Sequence, residues 1–272
     1  MKERVTLTLD SEILTQIDQM VDGFMIKNRS HAVELQLFKA MQSDIPKQAI
    51  ILAAGKEKRL KSRPEVPFAM LPIHDKPAIE HQIEQFKSYN VKDIMIAVCY
   101  DKDKIKGHLG NGSKLGVRIR YIEEDEPSGT ATILKKARPY ILGSFFVTNS
   151  DEIKSINLTD MYLTHKENNA LATIALTVVE DPGAYGVVKM DGIRVKEFLE
   201  KPKGEGTNLI NAGLYLVEPD VIDMVPEGNS MLYDIFPKLA EQNKLIGYPF
   251  SGQWFDISSD QSYRVAQKEW KR

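Results

Sequence analysis

The feature that most constrains this sequence is a regular alternation of apolar runs and helical patterns from residue 48 onward. Five apolar runs have the length and composition of buried strands: residues 49–53, 94–99, 117–122, 145–148 and 173–179. Between them, apolar residues recur at helical spacing, for example over residues 79–89 and 130–137. Because strands that alternate with helices form mainly parallel sheets, we predict an α/β fold with a mostly parallel, mixed sheet.

A short polar stretch with a proline separates this region from the N-terminus. Residues 43–47 read Ser-Asp-Ile-Pro-Lys and lie between a helical pattern and the first apolar run. Since a proline disfavours helix at the residue before it, we predict a linker here. The 272 residues therefore divide into a small domain, 1–43, and a large domain, 48–272.

The small domain has the pattern of one strand followed by two helices. Val5, Leu7 and Leu9 alternate with polar residues, as in a strand with one buried face. Asp10 stands where it would cap a first helix, and a second helix begins at residues 28–30. So short a chain cannot enclose a core by itself, so we expect a homodimer in which the strands of two copies pair.

This order of elements resembles the ribbon-helix-helix DNA-binding domain. The resemblance implies that the outward strand residues Arg4, Thr6 and Thr8 read base edges in the major groove. It also implies that Arg29 and Ser30, at the start of the second helix, hold a backbone phosphate. DNA is therefore an expected partner.

The charge of the small domain leaves an alternative open. Residues 1–47 contain six Lys or Arg residues against seven Asp or Glu residues, so this segment has no overall positive charge. Under the alternative, the strand and helices only dimerise the protein.

The whole chain has a formal net charge of −2, so nothing about its composition implies attraction to nucleic acid or to an anionic membrane. Its single cysteine, Cys99, lies in an apolar run and is interpreted as a small buried side chain. No signal peptide is visible, and no apolar run approaches the roughly 18 residues of a membrane span. We expect a cytoplasmic protein without a membrane partner.

The first strand of the large domain leads into a loop suited to an anion, with one exception. The loop reads Ala-Ala-Gly-Lys-Glu-Lys-Arg-Leu over residues 53–60, and Gly55 permits a tight turn whose N–H groups face a ligand. Glu57, however, would repel a phosphate.

This stretch resembles the signature loop of the sugar-phosphate nucleotidylyltransferases, usually Leu-Ala-x-Gly-x-Gly-Thr-Arg-Leu followed by Pro-Lys-x-Leu-x-Pro-Ile. The chain keeps Gly55, Arg59 and Leu60, and the closing Leu-Pro-Ile at residues 71–73. Further fragments match in the family's order: Gly-Asn-Gly-Ser at 110–113, Ser-Gly-Thr-Ala at 128–131, Tyr-Gly-Val at 185–187, Glu-Lys-Pro at 200–202 and Asn-Ala-Gly-Leu-Tyr at 211–215. The resemblance implies a Rossmann-like nucleotidyltransferase fold.

The same resemblance implies roles for particular residues. Nucleotide contacts fall to Leu52, Ala53, Ala54, Gly55, Glu124, Ser128, Gly129 and Thr130. Sugar contacts fall to Tyr185, Gly186, Glu200, Lys201 and Asn211. The resemblance assigns the catalytic phosphate contacts to Arg59 and Lys201. It assigns the binding of Mg²⁺, as a cofactor, to Asp151 and Asp256.

The departures from the family pattern concentrate on the triphosphate side. Glu57 replaces the second loop glycine, Phe68 replaces the catalytic lysine, and the segment from residue 60 to 72 is one residue short. Loss of one electrostatic stabiliser typically costs about 10² to 10³ in rate. Lys56 or Lys58 could restore the missing charge.

Other candidate residues have less specific interpretations. The acidic run at residues 123–126 is expected to be solvated, with Glu124 alone facing the base. Asp256 could cap a turn instead of holding a metal. The five histidines show no spacing typical of a zinc site.

Three hypotheses follow from the sequence. The first is a DNA-binding transcriptional regulator whose degenerate nucleotidylyltransferase-like domain binds a nucleotide, sugar phosphate or nucleotide sugar as effector, with weak or no catalysis. The second is an active sugar-phosphate nucleotidylyltransferase that the N-terminal module dimerises. The third is a scaffold that binds neither DNA nor a small ligand.

Overall fold

The computed structural model describes residues 5–23, 26–41, 45–54, 59–201, 207–224 and 234–271. The chain divides into two compact units, one ending at Asp44 and the other beginning at Ile45. Several residues of the sequence analysis lie outside the described residues: Arg4, Gly55, Lys56, Glu57 and Lys58. Their predicted roles stay predictions.

The N-terminal unit contains the two predicted helices, α1 (Ser11–Met20) and α2 (Arg29–Met41). Asp10 caps α1 as predicted, because its carboxylate accepts a hydrogen bond of 2.8 Å from the backbone N–H of Glu12. Asn28 caps α2 in the same way, through a bond of 2.9 Å from the backbone N–H of His31.

The strand predicted at the start of this unit is not formed in the single chain. Residues 5–10 have no regular secondary structure, and Val5, Leu7 and Leu9 are 72%, 54% and 37% exposed. A strand needs a neighbouring strand to pair its backbone N–H and C=O groups, and the described part of this unit supplies none. The unit therefore shows two short helices without a formed ribbon.

The large unit carries thirteen strands within its described residues. They are β1 (Gln48–Ala53), β2 (Pro72–Ile73), β3 (Lys76–Pro77), β4 (Asp93–Val98), β5 (Arg118–Glu123), β6 (Phe145–Asn149), β7 (Glu152–Lys154), β8 (Ala172–Val178), β9 (Gly186–Asp191), β10 (Arg194–Glu200), β11 (Leu209–Val217), β12 (Leu245–Pro249) and β13 (Trp254–Asp256). Its helices are α3 (Ala78–Ser88), α4 (Lys102–Leu109), α5 (Thr130–Ala137), α6 (Leu158–Glu167), α7 (Asp220–Asp223), α8 (Phe236–Glu241) and α9 (Asp260–Glu269). The predicted strands and helices agree with these bounds to within one residue.

Nine strands form one sheet in the order β5-β4-β1-β6-β11-β8-β12-β10-β9. Strands β5, β4, β1 and β6 are parallel, as predicted, whereas β11 and β10 run antiparallel to both of their neighbours. Four of the eight adjacent pairs of described strands in this order are parallel and four are antiparallel, so the sheet is mixed, as predicted, but not mostly parallel. No described helix is long and apolar enough to cross a membrane.

Two short strands outside this sheet position the candidate site. Strand β13 pairs antiparallel with β7, and Asp256 lies opposite Glu152. An apolar cluster that includes Ile153, Ile257 and Trp270 packs beneath this pair. Burial of that cluster fixes the ribbon against the rest of the domain.

Candidate active site

A cleft of about 480 Å³ opens where the carboxyl ends of β1 and β6 meet, which is where α/β sheets bind their ligands. The residues predicted from the sequence that line it are Leu52, Ala53, Ala54, Arg59, Gly129, Thr130 and Asp151. Gly129 has a φ of +91°, a backbone conformation that favours glycine, just before α5 begins. Residues from four separate segments of the chain thus share one wall.

Phe68 also lines this cleft. It begins a short 3₁₀ turn, Phe68–Met70, and packs against an apolar cluster. An aromatic ring there offers apolar surface to a ligand but cannot neutralise phosphate charge, as the family's lysine would.

Arg59, the residue predicted to contact the triphosphate, is paired with a carboxylate on another loop. Its guanidinium donates a hydrogen bond to Asp101, and the two side chains are only 17% and 14% exposed. Lys104 lies 2.9 Å from the same carboxylate. Asp101 follows Tyr100, which lines the cleft.

Glu124 is buried, whereas the other residues of the acidic run 123–126 are exposed, as expected from the sequence. Its carboxylate accepts hydrogen bonds from the Ser128 hydroxyl and, at 3.0 Å, from the Lys136 ammonium. Ser128 lies in the segment that leads into α5, and Lys136 lies on α5 itself. Glu124 and Ser128 therefore hold the loop before α5 against the end of β5.

The two predicted metal ligands are brought together by the β7–β13 pairing. Asp151 immediately precedes β7, and its backbone carbonyl accepts a hydrogen bond of 2.9 Å from Ile257, directly after Asp256. Burial and the nearby negative charges of Glu152 and Asp256 raise the pKa of Asp151 to about 7. The site thus concentrates negative charge.

Asp256 caps a turn, which was one of the two interpretations that the sequence left open, and its role as a metal ligand stays a prediction. One carboxylate oxygen accepts a bond of 2.7 Å from the backbone N–H of Ser258, as in a turn cap. The other accepts a bond of 3.0 Å from the Tyr185 hydroxyl, and burial together with this carboxylate raises the pKa of Tyr185.

This arrangement fits Mg²⁺ better than it fits a metal that needs a full protein cage. Within the described residues, no group of three or more His, Cys, Asp or Glu side chains could enclose a metal ion. Mg²⁺, however, is commonly held by one or two carboxylates together with substrate phosphates. Asp151 and Asp256 are the two that would hold it.

A buried ion pair lies next to these aspartates. The Lys154 side chain is 2% exposed, and its ammonium lies 3.1 Å from the Glu152 carboxylate. Glu152 also accepts hydrogen bonds from Asn149 at 3.1 Å and from the Trp254 indole at 2.9 Å. Glu152 therefore ties the end of β6 to β7 and β13.

On the predicted sugar side, Tyr185, Gly186 and Glu200 lie together. A side chain at Gly186 would meet a Glu200 carboxylate oxygen 2.7 Å from its Cβ, so glycine is needed for this close approach. Burial raises the pKa of Glu200. The Lys201 ammonium lies 3.8 Å from Glu200, and its backbone φ is +48°.

Asn211, also predicted to contact sugar, forms its hydrogen bonds within strand β11. Its amide donates a hydrogen bond of 2.8 Å to the Tyr215 hydroxyl and accepts one of 3.0 Å from the backbone N–H of Gly213. These bonds span the irregular register between β11 and β8. The carboxamide predicted to contact sugar is thus engaged within its own strand.

The residues predicted to contact DNA lie on the N-terminal unit. Thr6, Thr8 and Ser30 are exposed. The Arg29 guanidinium is paired with Asp18, with one nitrogen–oxygen distance of 2.6 Å, so a phosphate would compete with that carboxylate.

Sequence reasoning missed four charged residues of the large unit: Asp101, Lys136, Glu152 and Lys154. Glu152 and Lys154 carried no distinctive signal, because charged and polar residues are interspersed with apolar ones over residues 151–156 and the sequence does not show that this segment is buried. Asp101 and Lys136 carried none, because their partners Arg59 and Glu124 are distant in the sequence.

Comparisons with known proteins agree with this geometry. The model of the nucleotidyl transferase family matches residues 48–272. Mannose-1-phosphate guanylyltransferase 1 of Arabidopsis thaliana is 37% identical over 225 residues, which cover 79% of this chain and 62% of that protein. Mannose-1-phosphate guanyltransferase of Yarrowia lipolytica is 35% identical over 224 residues, with the same coverage. The chain thus spans 62% of the length of these curated relatives.

The fold is also found among solved structures. HddC from Yersinia pseudotuberculosis superposes with a TM-score of 0.71 at 26% identity, over 82% of this chain and 99% of that one. The matched share of this chain is close to the length of its large unit.

The buried ion pair generates a stability prediction. Lys154→Met removes the ammonium and leaves the Glu152 carboxylate uncompensated, which should lower the free energy of unfolding by about 3–5 kcal/mol. Lys154→Met combined with Glu152→Gln should recover part of this loss, because neither charge remains. Urea unfolding at neutral pH measures both effects.

The matched control is Lys189→Met. Lys189 forms an exposed ion pair with Glu197, and its loss should cost at most about 1 kcal/mol. Equal unfolding free energies for Lys154→Met and the wild type would show that the buried pair does not stabilise the fold.

Proposed function

The chain belongs to the nucleotidyl transferase family, and we propose that its large unit transfers a nucleotidyl group from a nucleoside triphosphate to a sugar 1-phosphate. The observation that carries this proposal is the adjacency of Asp151 and Asp256 beside the cleft that Arg59 lines. A pair of neighbouring carboxylates, one of which lines the cleft together with an arginine, is suited to phosphate chemistry.

The reaction balances without any oxidant or reductant. An oxygen of the sugar 1-phosphate forms a bond to the α-phosphorus of the triphosphate, and the bond from that phosphorus to the bridging oxygen breaks. Pyrophosphate leaves with that oxygen, and a nucleotide sugar remains. Mg²⁺, when bound, neutralises phosphate charge.

This chain's own residues would divide the work as follows. Arg59 neutralises phosphate charge, the Gly129 turn lets a base approach the backbone, and Glu200 accepts hydrogen bonds from sugar hydroxyls. Lys201 would contact the sugar phosphate, as the resemblance to the family implies. The relatives' names make guanosine triphosphate and mannose 1-phosphate the first substrates to test.

Phe68 leads us to expect a slow rate of nucleotidyl transfer. An apolar ring in place of the family's lysine leaves part of the phosphate charge unneutralised, so turnover should be slow. A single such stabiliser is typically worth about 10² to 10³ in rate.

We predict that the purified chain releases pyrophosphate slowly from guanosine triphosphate and mannose 1-phosphate, in a reaction that needs both substrates and Mg²⁺. Asp151→Ala should abolish release, because the cation and its phosphates lose a ligand. Phe68→Lys should raise the rate, because it restores a positive charge. A coupled pyrophosphate assay over a panel of triphosphates and sugar phosphates measures these rates.

The control is Asp191→Ala, a carboxylate on β9 that takes no part in the cleft lining. The proposal would be wrong if no substrate pair released pyrophosphate, or if Asp151→Ala released it as fast as the wild type.

A second candidate function concerns the N-terminal unit, which would dimerise and bind DNA. The protein would then be a transcriptional regulator, and a nucleotide or nucleotide sugar bound to the large unit would be its effector. The favouring observation is the exposure of Val5, Leu7 and Leu9, which alternate with the exposed polar residues Thr6 and Thr8. Pairing with a second copy would bury the three apolar side chains and leave the two threonines facing outward.

Dimerisation is testable by truncation. We predict that the full chain is a dimer and that the fragment 43–272 is a monomer, because the apolar face of residues 5–9 then has no partner. Multi-angle light scattering at one protein concentration compares the two. A dimeric fragment would place the interface in the large unit.

DNA binding is tested separately. If Arg4 and Thr6 read base edges, Arg4→Ala and Thr6→Ala should each weaken binding to one selected sequence by about 1–3 kcal/mol. Arg29→Ala should weaken all sequences alike and reduce the salt dependence, because a phosphate contact is lost. Selection from genomic fragments followed by fluorescence anisotropy supplies the measurement. Failure to enrich any repeated half-site would remove the support for a regulator.

A further inference from the structure

We propose that Asp101 is a specificity-determining residue that weakens the binding of phosphate-rich nucleotides by competing for Arg59. This inference rests on the proposed function, because it assumes that the cleft binds a nucleotide. It adds a carboxylate to which the sequence motifs assigned no role.

The contact is direct and well shielded. The Arg59 guanidinium donates a hydrogen bond to Asp101, across 42 positions of sequence, and both side chains are more than four-fifths buried. At such a site, charges interact more strongly than in water. A phosphate oxygen that approached this face of Arg59 would meet a carboxylate already in place.

Asp101 is held in this position from two sides. Its backbone is left-handed, with a φ of +56°, at the point where the chain leaves β4 and enters α4. The Lys104 ammonium, one helical turn further, lies 2.9 Å from the carboxylate and also donates a bond of 3.0 Å to the backbone carbonyl of Glu65. Lys104 would hold the Asp101 carboxylate in place after Arg59 turned to a ligand.

The consequence depends on the number of phosphates. A terminal phosphate can pair with Arg59 only when the guanidinium leaves Asp101, and the loss of that ion pair reduces the affinity for the phosphate. A ligand whose phosphates end before this point avoids the cost. Asp101 should therefore disfavour a triphosphate relative to a monophosphate of the same base.

The test compares the affinities of guanosine tri-, di- and monophosphate for the full chain. Asp101→Asn removes the charge and suits the left-handed backbone, because asparagine tolerates positive φ. We expect Asp101→Asn to bind the triphosphate about tenfold more tightly than the wild type does, with little change for the monophosphate. Isothermal titration calorimetry at constant Mg²⁺ supplies the constants.

Asp103→Asn is the matched control. Asp103 lies on the same helix, is exposed and undergoes the same change of charge, so its affinities should stay at the wild-type values. Asp101→Gly, which also suits a positive φ, repeats the experiment if the asparagine variant folds poorly.

The requirement for Arg59 is tested by a double variant. If Asp101 acts through Arg59, the gain from Asp101→Asn should vanish in an Arg59→Gln background. An unchanged triphosphate affinity in Asp101→Asn, or an equal gain for all three nucleotides, would overturn the inference while leaving the proposed function intact. Failure of the wild type to bind any of the three would instead contradict the proposed function, and the inference with it.

Discussion

The antiparallel pairing of β7 with β13 is the contact on which the candidate site depends. It joins two segments a hundred residues apart and sets Asp256 opposite Glu152, next to Asp151. Backbone hydrogen bonds fix the register, and a one-residue slip would turn Asp256 to the other face of the ribbon. The apolar cluster beneath the ribbon, which includes Ile153 and Ile257, makes that register the stable one.

The carboxylates that lie close together at the β7–β13 ribbon need neighbouring positive charges or hydrogen-bond donors. Glu152 and the two aspartates would repel one another strongly, and the raised pKa of Asp151 reflects that repulsion together with burial. Lys154 supplies a fixed positive charge from within the fold, and Tyr185 supplies a hydrogen-bond donor to Asp256. A divalent cation would complete the balance when substrate phosphates arrive.

The part of the cleft around Arg59 is organised differently from the family pattern. Its charged contact is an internal one between Arg59 and Asp101, and Phe68 presents an aromatic ring where the family has a lysine. Both features reduce the positive potential available to phosphates. A domain with the family's fold can thus prefer a different ligand from other members of the family, because the residues of the site, and not the fold, determine which ligand binds.

The sequence by itself predicted five of the thirteen described strands of the large unit and two of its helices, with residues 94–99 and 130–137 as examples, because hydrophobic periodicity is a local property. It also identified seven of the sixteen described residues that line the cleft, because the family's motifs are short and contiguous. Tertiary structure alone decided that Glu124 is buried and that Arg59 meets Asp101, because both depend on partners distant in sequence. The exposed residues 5–9 show the same limit, since a strand exists only where another strand completes its hydrogen bonds.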